Sequence, residues 1–174
     1  MARVPYVEEQ DHPELADQIQ RIKDRRGGRL LNLYKLLLQS PPVADGWLQM
    51  FSAVRQQAEL DDRTRELVIM QVAVLNGADY EYRAHAPIAL KTGVTQQQID
   101  ALPTWRASEL FDERDRAILA YAESITREIH VPDDVFAAVA PHFGSRELVE
   151  LTVTVAGYNC VSRVLEALRI DPQT

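Results

Sequence analysis

The sequence predicts an all-α fold, and three observations carry that expectation. Apolar residues recur at helical spacing along most of the 174 residues. Glycine is scarce, with seven in all, so few positions invite a turn or bulge. The periodic stretches are punctuated by side chains that start and stop helices.

Residues 13–26 read as a first helix with Pro13 near its start. It closes in RIKDRRGGR, where cations suit the negative helix end and Gly27 and Gly28 accept a left-handed cap. That basic cluster is either a capped, solvated helix end or an anion or partner site. A second helix spans Leu30 to Gln39 and stops before Pro41 and Pro42. A third, over 42–58, is expected to bury Trp47, Met50, Phe51 and Val54. Asp61 or Asp62 caps a helix containing RELVIMQVAVLN, apolar on nearly every side and so expected at the centre of the core. Asp79 is expected to cap the next, which ends at Gly93. Thr95 and Gln98 form a capping box for a short helix. Asp112 caps a long one to Ile129, and Pro132 opens another to His142. The last element begins at a Ser145 cap. Its LTVTV alternates and is β-branched, which favours a strand locally. The Ser145 cap and the adjoining VSRVLEAL together make one continuous helix of about 23 residues the better reading. Arg65-Glu66-Leu67-Val68 recurs as Arg146-Glu147-Leu148-Val149, each time before a long apolar run. No linker divides the chain, so one domain over 1–174 is expected, with 1–29 as an N-terminal helical extension.

A net charge of −7 argues against nucleic acid or an anionic membrane surface as partner. The single cysteine, Cys160, leaves no disulfide within the chain and excludes a two-cysteine redox centre in it. It fits a reducing compartment, and the expected location is cytoplasmic. MARVPYVEEQDHPEL has no apolar core and carries acids, unlike a signal peptide. No apolar run approaches the roughly 18 residues that span a bilayer.

Three polar residues interrupt the apolar pattern. Glu66 shares a helix face with Met70, Ala73 and Val74. A carboxylate in a first turn is favoured by the helix dipole, which is one reading. A buried carboxylate must find a partner or a proton, which suits acid–base chemistry and is the other. Glu81 and His85 are spaced i, i+4 and share a face with Ile88 and Ala89. They are either a helix-stabilising pair or an oriented imidazole with a fixed tautomer. Pro87 removes a backbone donor and is expected to kink the helix beside His85. Glu66, Glu81 and His85 are also plausible metal ligands. Paired Glu-x-x-His motifs of di-iron bundles are absent, however, so no metal is expected.

Glu66 followed by AVLNGADYEYRAHAPIALKTGVTQQQI resembles the carboxymuconolactone decarboxylase and alkylhydroperoxidase-D-like family. The likeness runs from about Leu30 to Ile170 and includes DERDRAILAYAESIT and SRELVELTVTVAGYNCVSRVLEALRI. In the peroxidase branch a Glu precedes a Cys-x-x-Cys pair, and a His stands four residues further on. Those places fall here on Glu66, Ala78, Glu81 and His85. The Glu and the His are kept and both thiols are replaced, so the chain is similar to a cysteine-free branch.

The resemblance implies an all-α, single-domain bundle of about seven to eight helices. It also implies a homo-oligomer, trimeric or hexameric, with a dimer possible. The expected activity is cofactor-independent decarboxylase, lyase or isomerase chemistry on a small organic acid or lactone. His85, Glu81 and Glu66 would be catalytic. Tyr80 and Tyr82 would bind substrate, and the resemblance places Tyr158 and Asn159 at the same cavity or in the core beside it. Thiol peroxidase activity is not expected, since Ala78 and Glu81 cannot form the disulfide product. The alternatives are a non-catalytic oligomer that binds a small molecule or partner, and a metal-dependent enzyme using Glu66, Glu81 and His85.

Overall fold

The computed structural model describes residues 1–172, and all regular structure in them is helical. Nine α-helices occur among the described residues: α1 Ala16–Arg25, α2 Asn32–Leu37, α3 Pro41–Gln56, α4 Asp62–Asn76, α5 Asp79–Lys91, α6 Gln96–Ala101, α7 Glu113–Glu128, α8 Asp133–Val139 and α9 Ser145–Leu168. Short 3-10 turns precede α1 and succeed α6 and α8. The α-helices match the nine helical stretches read one by one from the sequence, and three of them, α2, α6 and α8, are only six or seven residues long.

The chain forms two compact units, Met1–Gln57 with the stretch from Val164 onward, and Ala58–Arg163. In the first, α1 buries Ile19 and Ile22 completely. α3 turns Ala44, Leu48, Phe51 and Val54 inward. Met50 is 44% exposed, contrary to expectation, and Trp47 is half-buried with its ring 4.8 Å from Phe51. Leu48 takes the inward position, because the buried stripe runs through 44, 48 and 51 rather than 47 and 50. The basic end of α1 is a helix stop. Gly27 and Gly28 take positive φ, and the Gly28 N–H donates to the Lys23 carbonyl at 2.8 Å. Lys23 pairs with Glu9, and Arg26 donates to the Tyr34 hydroxyl at 3.0 Å.

α4 is the central helix of the second unit. It is buried continuously from Thr64 to Ala73. Leu67 and Met70 pack in one cluster with Ala89 of α5, Ile99 of α6, Trp105 and Leu119 of α7. Asp61 caps α4 by accepting from the Thr64 N–H at 2.8 Å, and Gly77 ends it at φ 62°. The Thr95–Gln98 capping box and the Asp112 cap form as expected. Two other caps differ. Ala78 precedes α5 without a side-chain cap, and Asp79 is its first helical residue, bridging to Arg83 at 2.8 Å. Ser145 likewise lies inside α9, where Glu147 accepts from the Gly144 N–H at 2.9 Å. α5 runs through Pro87 without a break.

LTVTV is helical. Thr152 and Thr154 turn their hydroxyls back onto the Leu148 and Glu150 carbonyls at 2.6 and 2.7 Å, while Leu151 and Val155 are fully buried. Local back-bonding and burial together override the β-propensity. No helix among the described residues is long and apolar enough to cross a membrane.

Candidate active site

The site grows from two adjacent helix starts in the second unit. The Asp61 cap fixes the register of α4, so Glu66 falls in its second turn and faces inward, 1% exposed. On α5, Glu81 is the third residue and His85 lies one turn further, 4% and 3% exposed. α4 and α5 pack side by side, which brings the three together. His85 Nδ1 lies 2.7 Å from Glu66 Oε2, and His85 Nε2 lies 3.4 Å from Glu81 Oε2. The imidazole is thus held between two carboxylates, one at each ring nitrogen. Tyr158 of α9 stands edge-on to the ring, with centroids 5.2 Å apart and planes at 89°.

Arg65 completes the array. Its Nε lies 3.3 Å from Glu66 Oε1, and its Nη1 donates to Asp62 Oδ1 at 2.7 Å. Burial works to lower the Arg65 guanidinium's pKa. The Asp62 hydrogen bond and the nearby Glu66 charge outweigh that and hold it above its ordinary value, so it stays cationic. Unpaired buried charges would cost several kcal/mol each, so this alternation of sign is what makes the array tolerable.

Of the other expected site residues, Tyr80 is buried at the start of α5. Tyr82 is half-buried and packs against the apolar cluster of Leu67 and Met70. Asn159 lies one residue from Tyr158, but its amide serves a different network. It donates to Thr126 Oγ1 at 2.9 Å and to the Val155 carbonyl, and accepts from Asn76 at 3.0 Å and Arg163 at 2.7 Å. Ala78 is buried, and Cys160 is exposed on α9. Arg65 is the functional candidate that sequence reasoning passed over. Its signal was its adjacency to Glu66 on a helix expected to be buried.

The repeated Arg-Glu-Leu-Val does not make a second site. Glu147 caps α9, and Arg146 pairs with Glu59 and Glu150 at the surface. No group of three or more His, Cys, Asp or Glu among the described residues is arranged to hold a metal ion. Glu66 and Glu81 approach opposite nitrogens of one ring, so the three do not converge on a common point. A surface groove of about 530 Å³ belongs to the first unit, lined by Arg21, Arg25, Asp45 and Leu48 among others, and contains none of the site residues.

The all-helical architecture that holds the buried Glu–His pair is similar to that of solved alkylhydroperoxidase-D-like proteins. Residues 41–124 match the sequence profile of the carboxymuconolactone decarboxylase family, so this stretch of the chain is similar to that family. The chain is similar to the uncharacterized protein YdfG of Bacillus subtilis, at 28% identity over 115 residues, or 65% of this chain and 78% of that one. A protein of unknown function from Agrobacterium tumefaciens has a crystal structure similar to this one. Its TM-score is 0.73 at 25% identity, covering 78% of this chain and 94% of that one. The alkylhydroperoxidase AhpD core of a peroxidase-related protein from Ralstonia eutropha JMP134 shares the fold. There the TM-score is 0.82 at 19% identity, covering 99% and 92%.

Proposed function

We propose that this protein is a cofactor-independent acid–base enzyme acting on a small organic acid, lactone or related carbonyl compound. The observation that carries the reading is the contact of His85 with a buried carboxylate at each ring nitrogen. An imidazole so held is oriented and can take up or deliver a proton without rearranging, the requirement for general acid–base catalysis. Glu66 orients the ring, His85 carries the proton, and Glu81 exchanges it. Decarboxylation or proton abstraction beside a carbonyl leaves an electron pair on carbon and negative charge on the carbonyl oxygen. A hydrogen-bond donor at that oxygen stabilises the enolate. Tyr158, against the His85 ring, and Tyr80, buried on the same helix as His85, are the residues assigned to substrate.

Thiol peroxidation is not part of this proposal. A dithiol cycle needs two sulfurs in reach, and this chain has one cysteine, exposed, with Ala78 and Glu81 at the positions where the resemblance places thiols.

The test is a screen of γ-lactones, β-keto acids and hydroperoxides with the wild-type protein and His85→Ala. Turnover of a lactone or keto acid that falls by ~10²-fold or more in the variant, with helical content unchanged, supports the proposal. Turnover of hydroperoxides alone, or activity indifferent to His85, refutes it.

A further inference from the structure

Arg65 is 8% exposed, an uncommon setting for a guanidinium. It touches the carboxylate that touches the ring. Glu66 turns Oε1 to Arg65 Nε at 3.3 Å and Oε2 to His85 Nδ1 at 2.7 Å. One carboxylate therefore stands between a permanent cation and one ring nitrogen. A cation in contact favours the ionised carboxylate, and an ionised carboxylate only accepts hydrogen bonds. A 2.7 Å contact then requires the proton on Nδ1. The opposite nitrogen, Nε2, faces Glu81 Oε2 at the longer distance of 3.4 Å.

We infer that Arg65 is a positioning residue of the site: by keeping Glu66 charged and turned toward Nδ1, it fixes the tautomer of His85 and leaves Nε2 as the nitrogen that exchanges protons. The inference rests on the acid–base reading of the site and adds to it which nitrogen works. In the forward step Nε2 takes a proton from substrate or from the Glu81 carboxylic acid. The resulting imidazolium donates to Glu66 from Nδ1 and to Glu81 from Nε2, and the Nε2 proton then leaves by the same route. Nδ1 keeps its proton throughout. Among the described residues, the titratable and charged groups around the ring include Glu66 on α4, with Arg65 and Asp62 behind it, Glu81 on the ring's own helix, and Tyr158 on α9.

The experiment is long-range proton–nitrogen correlation NMR of the histidine rings in the full-length, nitrogen-15-labelled protein, recorded over a pH range that includes the neutral ring. His85→Asn identifies the His85 signals among the four histidines. The wild-type neutral ring is expected to carry its proton on Nδ1. Arg65→Met should lower the ratio of the Nδ1-protonated to the Nε2-protonated form by about tenfold, the effect of losing one charged interaction. Arg65→Lys, which keeps the cation, should restore part of that ratio. Asp62→Asn removes the carboxylate that Arg65 holds on its far side and should leave the ring pattern as in wild type. A purely structural Arg65 would not move a nitrogen signature in this order.

A wild-type ring protonated on Nε2 overturns the inference, and so does an unchanged pattern in Arg65→Met. Should Arg65→Met not fold, Arg65→Gln serves in its place, and the wild-type tautomer decides alone. No substrate is needed for any of these spectra. An Nδ1-protonated, Arg65-dependent ring without turnover of any compound would sink the acid–base enzyme and leave the role of Arg65 standing.

Discussion

At Gln71 the second unit encloses an amide, 0% exposed, whose nitrogen and oxygen both lack a hydrogen-bond partner among the described residues. A buried polar group left unmade costs roughly 1–3 kcal/mol. Gln71→Met keeps the length of the side chain and removes both groups, so it should stabilise the protein by about 1 kcal/mol in urea unfolding. A loss of stability would show that the amide is bonded to internal solvent. Gln71 also marks what sequence reading reaches at this scale. Glu66, Glu81 and His85 were legible because i, i+4 spacing and helix faces are properties of neighbouring residues. Nothing local says which ring nitrogen meets which carboxylate, or that Gln71 meets neither solvent nor partner. Those facts depend on how α4 lies against other helices.

Among the elements, α4 shows how a cap sets a site. Burial works to raise the Asp61 carboxyl's pKa, but the Thr64 N–H, the Arg114 guanidinium and the Thr64 hydroxyl together outweigh it and hold it below the usual range. A carboxyl lowered by folding stabilises the native state fully above its unfolded value of about 3.9, and that stability is lost as pH falls through the folded value. Asp61→Asn keeps a capping side chain but not the charge. The variant should therefore lose less melting temperature than wild type between about pH 5 and pH 3. Parallel melting curves for the two proteins across that window would contradict the assignment. Caps were well read from sequence where a side chain does the work, at Asp61, Thr95 and Asp112. They were misread at Asp79 and Ser145, where the polar residue next to the boundary lies one position inside it. The helical state of LTVTV was legible from its flanks, the polar start near Ser145 and the VSRVLEAL pattern C-terminal to it, because its own residues favour a strand.

For the whole molecule, the all-helical class was fully legible, while the division into two compact units was not. Linkers reveal themselves by composition, and here the second boundary falls inside one continuous helix, α9, whose pattern does not change at Val164. The match to the carboxymuconolactone decarboxylase profile, over 41–124, likewise begins in one unit and ends in the other. Glu66, Glu81, His85 and Tyr158 lie on α4, α5 and α9 within the second unit. Its acid–base role is tested at closest range by solvent deuterium exchange. A panel of small keto acids and lactones is incubated in deuterium oxide with wild-type protein and with His85→Asn, and proton loss beside the carbonyl is monitored by NMR. An acid–base site at His85 predicts enzyme-dependent exchange in at least one compound, slowed by ~10²-fold or more in the variant. Exchange at equal rates in both proteins, or none with wild type across the panel, would contradict it.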